Sequence, residues 1–153
     1  MLFKIKELFA SNLRNYKSRE LNSLKVEVAC AALLIHCSKL DGKQSIEETT
    51  YLKSLLSKHF NLSHSEIELL VNNADMKEKN SIDLHQFTRV LHDNMNREDR
   101  IEMVQMLWEM ANSDGNIDSE ERHMVSLTAQ LLEVELQDSV AARQKARAKK
   151  KFC

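Results

Sequence analysis

The chain holds two glycines and no proline in 153 residues, and this shortage limits its fold more than any other feature. Tight β-hairpins and bulges depend on glycine, and loops between strands are rich in both residues. Residues that favour helices, such as Leu, Glu, Lys, Met and Ala, dominate instead. We therefore predict an all-α protein. The same shortage excludes the glycine-rich loops of nucleotide-binding proteins and the GxSxG elbow of α/β-hydrolases.

Length and charge predict one acidic domain with a basic end. A chain of this length makes about one domain of the usual ~100 to 200 residues, and 42% apolar with 29% charged residues is ordinary globular composition. Residues 138–153 contain six basic residues and one acidic residue, which leaves residues 1–137 with a charge of −6. This balance argues against a nucleic-acid-binding core. The basic segment Arg143–Lys151 is most simply a solvated helix end, and contact with phosphates or acidic lipids stays open.

The cysteines and the apolar runs predict a cytoplasmic protein. Cys30 and Cys37 lie about 10.5 Å apart along one predicted helix and Cys153 is terminal, so a disulfide framework is not expected. Free thiols are typical of a reducing cytoplasm. The longest uncharged run, Val28–Ser38, is shorter than the ~20 residues that span a bilayer.

Apolar spacing predicts about seven to eight helices. Residues 1–20 are predicted to form an amphipathic N-terminal helix, and its apolar stripe is expected to pack on its own domain or a partner, or to lie on a membrane surface. That stripe consists of Leu2, Ile5, Phe9 and Leu13. Helix starts are expected at Ser45, Ser63, Asn96 and Asp118, three of them as capping boxes. A polar break is expected from Asp75 to Ser81, followed by a short helix capped by Asp83 or Ser81. A last helix is expected to run from near Asp138 into the basic tail.

The two glycines reveal an internal repeat. Gly42 and Gly115 lie 73 residues apart, each follows an aspartate, and each precedes a Glu-Glu pair. Apolar positions match at the same offset: Val28 with Ile101, Ala31 with Val104, Leu34 with Leu107, Ile35 with Trp108, Tyr51 with Met124, and Leu52 with Val125. We therefore predict two helix–loop–helix repeats, with their central helices packed together around a pseudo-twofold axis. The repeats cover about residues 24–66 and 97–139.

The repeated loops carry more carboxylates than helix capping needs. An EF-hand is excluded in both, because Met110 occupies the first ligand position of the second loop and the first loop offers fewer oxygens. In the simplest interpretation, glycine ends one helix and a capping box starts the next. A second interpretation stays open, in which both loops face one side and bind a hard cation such as Ca²⁺ or Mg²⁺. The carboxylates beyond capping are Asp41, Glu47, Asp114 and Glu120.

No catalytic constellation emerges from the other reactive residues. The six histidines form no HExxH motif and no Cys/His cluster, so a zinc site is not expected. A Cys37 nucleophile with His36 as its base fails, because neighbours on a helix point about 100° apart. Trp108 and the seven methionines are most simply core residues.

In their order and doubling, these motifs resemble the TerB (tellurite resistance protein B) family, and in particular its small stand-alone bacterial members. The resemblance covers about residues 20–145. It is carried by Ala31–Leu34 leading to Asp41-Gly42, Phe87–Arg89, Trp108 leading to Ala111–Gly115, and Glu120-Glu121. On this basis residues 21–137 are a TerB-like helical domain and residues 138–153 a basic helix or tail. Lys39, Leu40 and Ser45 depart from the family pattern in the first half.

The resemblance implies a fold and a set of candidate ligands. It implies an all-α fold with pseudo-symmetric halves, an acidic surface that binds divalent metal, and a non-enzymatic role in bacterial stress-response complexes near the inner membrane. The family's acidic positions fall here on Asp41, Glu47, Glu48, Asp114, Asp118, Glu120 and Glu121.

Three functional hypotheses follow. The leading one is a non-enzymatic interaction module that binds protein partners, with a Ca²⁺ or Mg²⁺ site in the second loop. The alternative is a peripheral membrane adaptor that uses the N-terminal stripe and the Arg143–Lys151 segment. A metal-dependent enzyme with Asp114, Asp118 and Glu121 around a catalytic ion ranks last, because no base or nucleophile is evident beside them.

Overall fold

The computed structural model describes residues 18–40, 42, 44–113 and 117–151, with the backbone alone at 18–24 and 150–151. The described residues form seven α-helices and no strand, which confirms the all-α prediction. The helices are α1 (Ser18–Lys39), α2 (Ile46–Phe60), α3 (His64–Lys79), α4 (His85–Asn94), α5 (Arg97–Ala111), α6 (Ser119–Leu131) and α7 (Leu136–Lys151). The predicted N-terminal stripe, Leu2 to Leu13, lies outside the described residues.

The predicted helix starts are confirmed where a local capping motif defines them. Ser45, Ser63 and Asp118 each form a complete capping box with the glutamate three residues later. Asn96 caps α5 by accepting a hydrogen bond from the Asp99 N–H at 2.9 Å. These motifs set helix starts through contacts within four residues, which is why the sequence alone predicts them.

The region between α3 and α4 differs from the prediction. No break begins at Asp75, since α3 continues to Lys79 and its polar last turn is held by ion pairs to α1. Ser81 closes α3 rather than starting α4, because its hydroxyl donates to the Glu78 carbonyl at 2.6 Å. The N-cap of α4 is Leu84, which has no side-chain capping bond, while the Asp83 carboxylate accepts from the His85 N–H at 2.9 Å.

Helices α1 and α5 form the centre of the bundle. Helix α1 contacts α2, α3, α4, α5 and α6, and α5 contacts α1, α2, α6 and α7. Both are buried on several sides, which agrees with their predicted central position. Four of the sequence-matched apolar pairs are buried in both members: Ala31 with Val104, Leu34 with Leu107, Ile35 with Trp108, and Leu52 with Val125.

The two halves make the same kinds of helix contact. In the first half, α3 is the most extensive neighbour of α1, and in the second half α7 is the most extensive neighbour of α5. Ion pairs join the C-terminal parts of α1 and α3, and also those of α5 and α7. A duplicated unit predicts such matching contacts. The pseudo-twofold axis itself stays a prediction.

Helix α7 begins at Leu136, two residues before its predicted start, and remains helical through the basic segment to Lys151. Its inner face is small and buried at Ser139, Ala142 and Ala146, which allows close packing on α5. No helix in the described part of the chain has the length and apolar character needed to cross a bilayer.

Candidate functional site

The first Asp-Gly loop begins where Gly42 ends α1. Gly42 has a φ of +84°, in the region that favours glycine, and its N–H donates to the Lys39 carbonyl at 3.0 Å. A Cβ added at Gly42 would meet no atom within 4 Å. The backbone conformation rather than lack of space therefore requires glycine here.

The start of α2 holds Ser45 and Glu48 together. The Ser45 hydroxyl accepts from the Glu48 N–H at 3.0 Å, and Glu48 Oε1 accepts from the Ser45 N–H at 3.5 Å. The neighbouring Glu47 is exposed in the first turn of α2. A carboxylate in the first turn is stabilised by the helix dipole, so Glu47 has a structural explanation as well as a functional one.

The second loop leads to a similar arrangement at α6. Asp118 Oδ1 accepts from the Glu121 N–H at 2.8 Å, and Glu121 Oε1 accepts from the Asp118 N–H at 3.5 Å. Glu120 is exposed in the first turn, as Glu47 is in the first half. Asn112 forms the C-cap of α5 on the other side of the loop.

The predicted metal ligands are therefore brought together only in part. The structure pairs Ser45 with Glu48 and Asp118 with Glu121, while Asp41 and Asp114 lie outside the described residues. Within the described ranges, no group of three His, Cys, Asp or Glu side chains could hold a metal ion. The donors are carboxylate oxygens, which suit Ca²⁺ or Mg²⁺ in chemical type. The seven-residue site stays a prediction.

An ion cluster that the sequence did not predict holds α1 against α3 directly before the first loop. The Lys39 ammonium contacts Asp75 Oδ1 at 2.8 Å and Glu78 Oε1 at 2.9 Å. His36 Nδ1 lies 3.0 Å from Glu78 Oε2, and the Lys79 ammonium lies 3.1 Å from Asp75 Oδ2. We call these five side chains the α1–α3 ion cluster. It anchors the helix end from which the first Asp-Gly loop begins.

The cluster changes the titration of its two carboxyl groups. Burial alone would raise the pKa of Asp75, but hydrogen bonds from Lys39 and Lys79 outweigh it and lower that pKa. Burial alone would also raise the pKa of Glu78, but hydrogen bonds from Lys39 and His36 outweigh it and lower that pKa. Both carboxylates are thereby stabilised in the charged form. The only sequence signal was the spacing of Asp75, Glu78 and Lys79 on one face of a helix.

The second half joins α5 to α7 with the charges reversed. Here the central helix supplies the acid, since Glu109 Oε1 on α5 lies 3.1 Å from the Lys149 ammonium on α7. At the other end of the two helices, Arg97 on α5 donates to Asp138 on α7 at 2.8 Å. Between these pairs, the Arg143 guanidinium lies 5.0 Å from the centroid of the Trp108 ring. Trp108 is buried, as predicted.

A carboxyl group is also buried in the interior of the first half. Glu27 on α1 is 3% exposed, and burial together with the nearby charge of Glu66 raises its pKa to about 7. Glu66 itself accepts from the Ser63 N–H at 3.0 Å and completes the capping box of α3. Sequence analysis missed Glu27 because it precedes an otherwise apolar run and resembles a surface charge at its edge.

Comparison with known proteins gives one match. The family model described as Tellurite resistance protein TerB matches residues 27–144, which is more than three quarters of the chain. No curated protein and no solved structure matches significantly. The matched range includes both Asp-Gly loops, the α1–α3 ion cluster and most of α7.

Proposed function

The chain belongs to the TerB family, and from that membership we propose that it is a non-enzymatic interaction module whose two Asp-Gly loops bind a divalent cation. The family relates it to tellurite resistance. The cation would be Ca²⁺ or Mg²⁺, and the bound loops would present a surface to a protein partner in a bacterial stress-response system. Cytoplasmic location is part of the same proposal.

The observation that carries the proposal is the duplication of the carboxylates around capped helix starts. In each half, one glutamate completes a capping box, and the glutamate before it is exposed in the same turn. Capping requires Glu48 and Glu121, but it requires neither Glu47 nor Glu120. Asp41, Asp114 and Asp118 would complete the set of hard oxygen donors.

The ammonium of Lys39 also fits this proposal. A lysine two residues before Asp41 would weaken cation binding if its charge faced the loop. Its Nζ atom is instead bound to Asp75 and Glu78 at 2.8 and 2.9 Å, and both partners belong to α3. The departure of Lys39 from the family pattern therefore does not count against a site in the first half.

Amide NMR during titration with Ca²⁺ or Mg²⁺, after treatment with a chelator, tests the proposal. We expect saturable shifts confined to the residues around Gly42 and Gly115, and we expect Asp114→Asn to remove them. Glu98→Gln is the matched control, because it removes one negative charge from an exposed first-turn position of α5. Absence of shifts at millimolar ion concentration would show that the loops only end and start helices.

A peripheral membrane adaptor is the second candidate, and the exposed residues of α7 favour it. They include Leu136 and Val140 in the first half of the helix and Lys145, Arg147 and Lys149 in its second half. Apolar and basic residues together are typical of helices that bind anionic lipid surfaces. Co-sedimentation with anionic vesicles tests it: binding that falls in Lys145→Glu with Arg147→Glu supports the adaptor, and binding that is absent or unchanged rejects it.

A further inference from the structure

Three arginines of the second half form a positively charged cluster on α6 and α7. Arg143 and Arg147 are four residues apart on α7 and therefore share one face of that helix. Arg122 lies near the start of α6, which packs against α7. Arg122 and Arg147 are exposed, and Arg143 is half-buried. We call these three side chains the arginine cluster.

The three guanidinium groups repel one another. Burial lowers the pKa of Arg143, and the charges of Arg147 and Arg122 lower it further. Both side chains are therefore close enough to Arg143 for their charges to act on it. An anion placed among the three groups would relieve this repulsion.

The carboxylates that pair with α5 and α7 bind other cations. Asp138 of α7 binds Arg97 at 2.8 Å, and Glu109 of α5 binds Lys149 at 3.1 Å. Among the side chains that the structure describes, no carboxylate forms an ion pair with any arginine of the cluster. The positive charge of the cluster is therefore not neutralised by a direct contact.

The acidic residues at the start of α6 do not neutralise Arg122 either. Asp118 and Glu121 each accept a hydrogen bond from the other's backbone N–H in the capping box of that helix. Glu120 lies two positions before Arg122, and residues two apart on a helix point to different sides. These carboxylates are therefore engaged with the backbone or directed away from the cluster.

The guanidinium of Arg143 is held in place but lacks a hydrogen-bond acceptor. It lies 5.0 Å from the centroid of the Trp108 ring, a cation–π contact that orients its plane. Its Nε atom is buried and has no hydrogen-bond partner among the described residues. Stacking on Trp108 explains the position of this guanidinium, but an aromatic ring does not replace the oxygen acceptors that its N–H groups require.

The first half has no equivalent of the cluster. The buried positions of α3 and α7 match at an offset of 72 residues: Ile67 with Ser139, Leu70 with Ala142, and Ala74 with Ala146. At this offset Arg143 and Arg147 correspond to Val71 and Asp75. The repeated fold therefore does not require arginine at these positions, and the cluster is specific to the second half.

We propose that Arg122, Arg143 and Arg147 form a binding site for a phosphate group, either of a free phosphate monoester or of a lipid headgroup. A phosphate monoester carries nearly two negative charges and three strong acceptor oxygens. Guanidinium groups bind such oxygens through pairs of parallel N–H donors. A carboxylate has one charge and two oxygens, which a single guanidinium can satisfy, so three arginines suit phosphate better.

Titration with methyl phosphate at constant ionic strength tests the site. Trp108 is the only tryptophan of the chain and contacts Arg143, so its fluorescence should change saturably as the anion binds. Amide NMR should place the largest shifts around Arg122, Arg143 and Arg147. Acetate at the same concentrations is the control, and we expect it to bind much more weakly.

Four variants separate the cluster from the general charge of α7. Arg122→Gln and Arg147→Gln should each weaken binding of methyl phosphate by about fivefold, the equivalent of one exposed ion pair. Arg143→Lys keeps the charge but removes the planar pair of donors, and we expect it to weaken binding by about tenfold. Lys145→Gln is the matched control, because Lys145 is exposed on α7 two residues from both Arg143 and Arg147. It should change binding by less than about twofold.

Co-sedimentation with vesicles identifies the source of the phosphate group. The vesicles contain phosphatidylglycerol and phosphatidylcholine, and phosphatidylcholine alone is the control. Vesicle binding that falls in both Arg122→Gln and Arg143→Lys indicates a lipid headgroup. Binding of methyl phosphate without vesicle binding indicates a free monoester. Arg122 lies on α6, outside the Arg143–Lys151 segment, so its effect distinguishes this site from the membrane adaptor.

The proposal is overturned if neither methyl phosphate nor the phosphatidylglycerol vesicles bind. It is also overturned if Lys145→Gln weakens binding as much as Arg147→Gln, because binding would then follow net charge alone. If Arg143→Lys fails to fold, the exposed Arg122 and Arg147 still decide. None of the three arginines is a candidate cation ligand, so this site and the Ca²⁺ or Mg²⁺ site can be rejected independently.

Discussion

The two halves of the molecule share one arrangement of helices but differ in the charged residues that join those helices. Each has a central helix whose closest neighbour is the third helix of its own half, and in each half ion pairs join the C-terminal parts of those two helices. In the first half the central helix supplies Lys39 and His36, and Asp75 and Glu78 of α3 bind them. In the second half the central helix supplies the buried acid, Glu109, and the exposed Lys149 of α7 binds it.

This difference shows that a repeated fold does not require the same charged residues in both copies. Four of the six apolar pairs at the 73-residue offset are buried in both members, because both copies must fill the same core. The charged positions are free to diverge, since an ion pair between two helices works with either polarity. In the first half one lysine of the central helix joins two carboxylates, and in the second half a lysine of α7 joins one buried carboxylate of the central helix.

Substitutions of core leucines should change stability most, and they should do so equally in the two halves. Leu34 and Leu107 are both fully buried at matched positions of α1 and α5. We expect Leu34→Ala and Leu107→Ala each to lower the free energy of unfolding by about 2 to 5 kcal/mol through cavity formation. Urea denaturation followed by circular dichroism measures both. A cost below about 1 kcal/mol for either variant would break the equivalence of the two cores.

The buried Glu27 of the first half should make the stability of the protein depend on pH, by nearly as much as a core substitution changes it. Glu27 has a pKa of about 7 in the folded protein, and the corresponding value of an exposed glutamate is 4.5. A carboxyl group with a raised folded pKa contributes stability below its unfolded pKa and loses it as the pH rises through the folded value. We therefore expect the wild type to lose roughly 3 kcal/mol of stability between pH 4.5 and pH 8 relative to Glu27→Gln.

The same position in the second half provides the contrast. Arg100 lies 73 residues after Glu27, is half-buried, and donates to the Leu132 carbonyl at 2.9 Å. Arg100→Met should therefore change the stability difference between pH 4.5 and pH 8 much less than Glu27→Gln does, through its charge near His92 alone. Thermal unfolding across this pH range measures both variants. A pH profile of Glu27→Gln that parallels the wild type would contradict the assignment of the raised pKa to Glu27.

The ion pairs of the two halves should differ in their contribution to the free energy of unfolding. Glu78→Gln removes a carboxylate that is 11% exposed and binds both Lys39 and His36, and we expect it to cost about 1 to 3 kcal/mol at pH 7. Because the pKa of Glu78 is lowered, this difference from the wild type should disappear as the pH falls through that lowered value. Lys149→Met leaves the carboxylate of Glu109, which is 4% exposed, without this ion pair, and we expect it to cost about 3 to 5 kcal/mol.

Chemical denaturation at pH 7 compares Glu78→Gln with Lys149→Met directly. A cost below about 1 kcal/mol for Lys149→Met would contradict the assignment of Glu109 as a buried carboxylate that this ion pair stabilises.

Substitutions of the helix N-caps should change stability least, and their effects should again be alike in the two halves. Ser45 and Asp118 are the N-caps of α2 and α6, and each accepts a hydrogen bond from a backbone N–H at 3.0 and 2.8 Å. We expect Ser45→Ala and Asp118→Ala each to cost about 1 kcal/mol. Thermal unfolding at pH 7 measures the two variants, and Ser54→Ala, an exposed serine within α2, is the control. A cost for only one cap would show that the two loops are not structurally equivalent.

The sequence predicted the features that depend on neighbouring residues. The capping boxes, the helix-ending Gly42 and the buried stripes all arise from contacts within one or two turns, so spacing alone identifies them. The contacts of Lys39 and Glu109 could not be predicted in this way. Their partners lie 36 to 40 residues away, and only the packing of α3 on α1 and of α7 on α5 brings them together.

Isothermal titration with Ca²⁺ tests most directly the proposal that the two Asp-Gly loops bind a divalent cation. The proteins compared are the wild type, Asp41→Asn and Asp114→Asn, each treated with a chelator beforehand. The second loop offers Asp118 where the first offers Ser45, so Asp114→Asn should abolish saturable binding and Asp41→Asn should only weaken it. No saturable heat in the wild type, or unchanged binding in Asp114→Asn, would contradict the account.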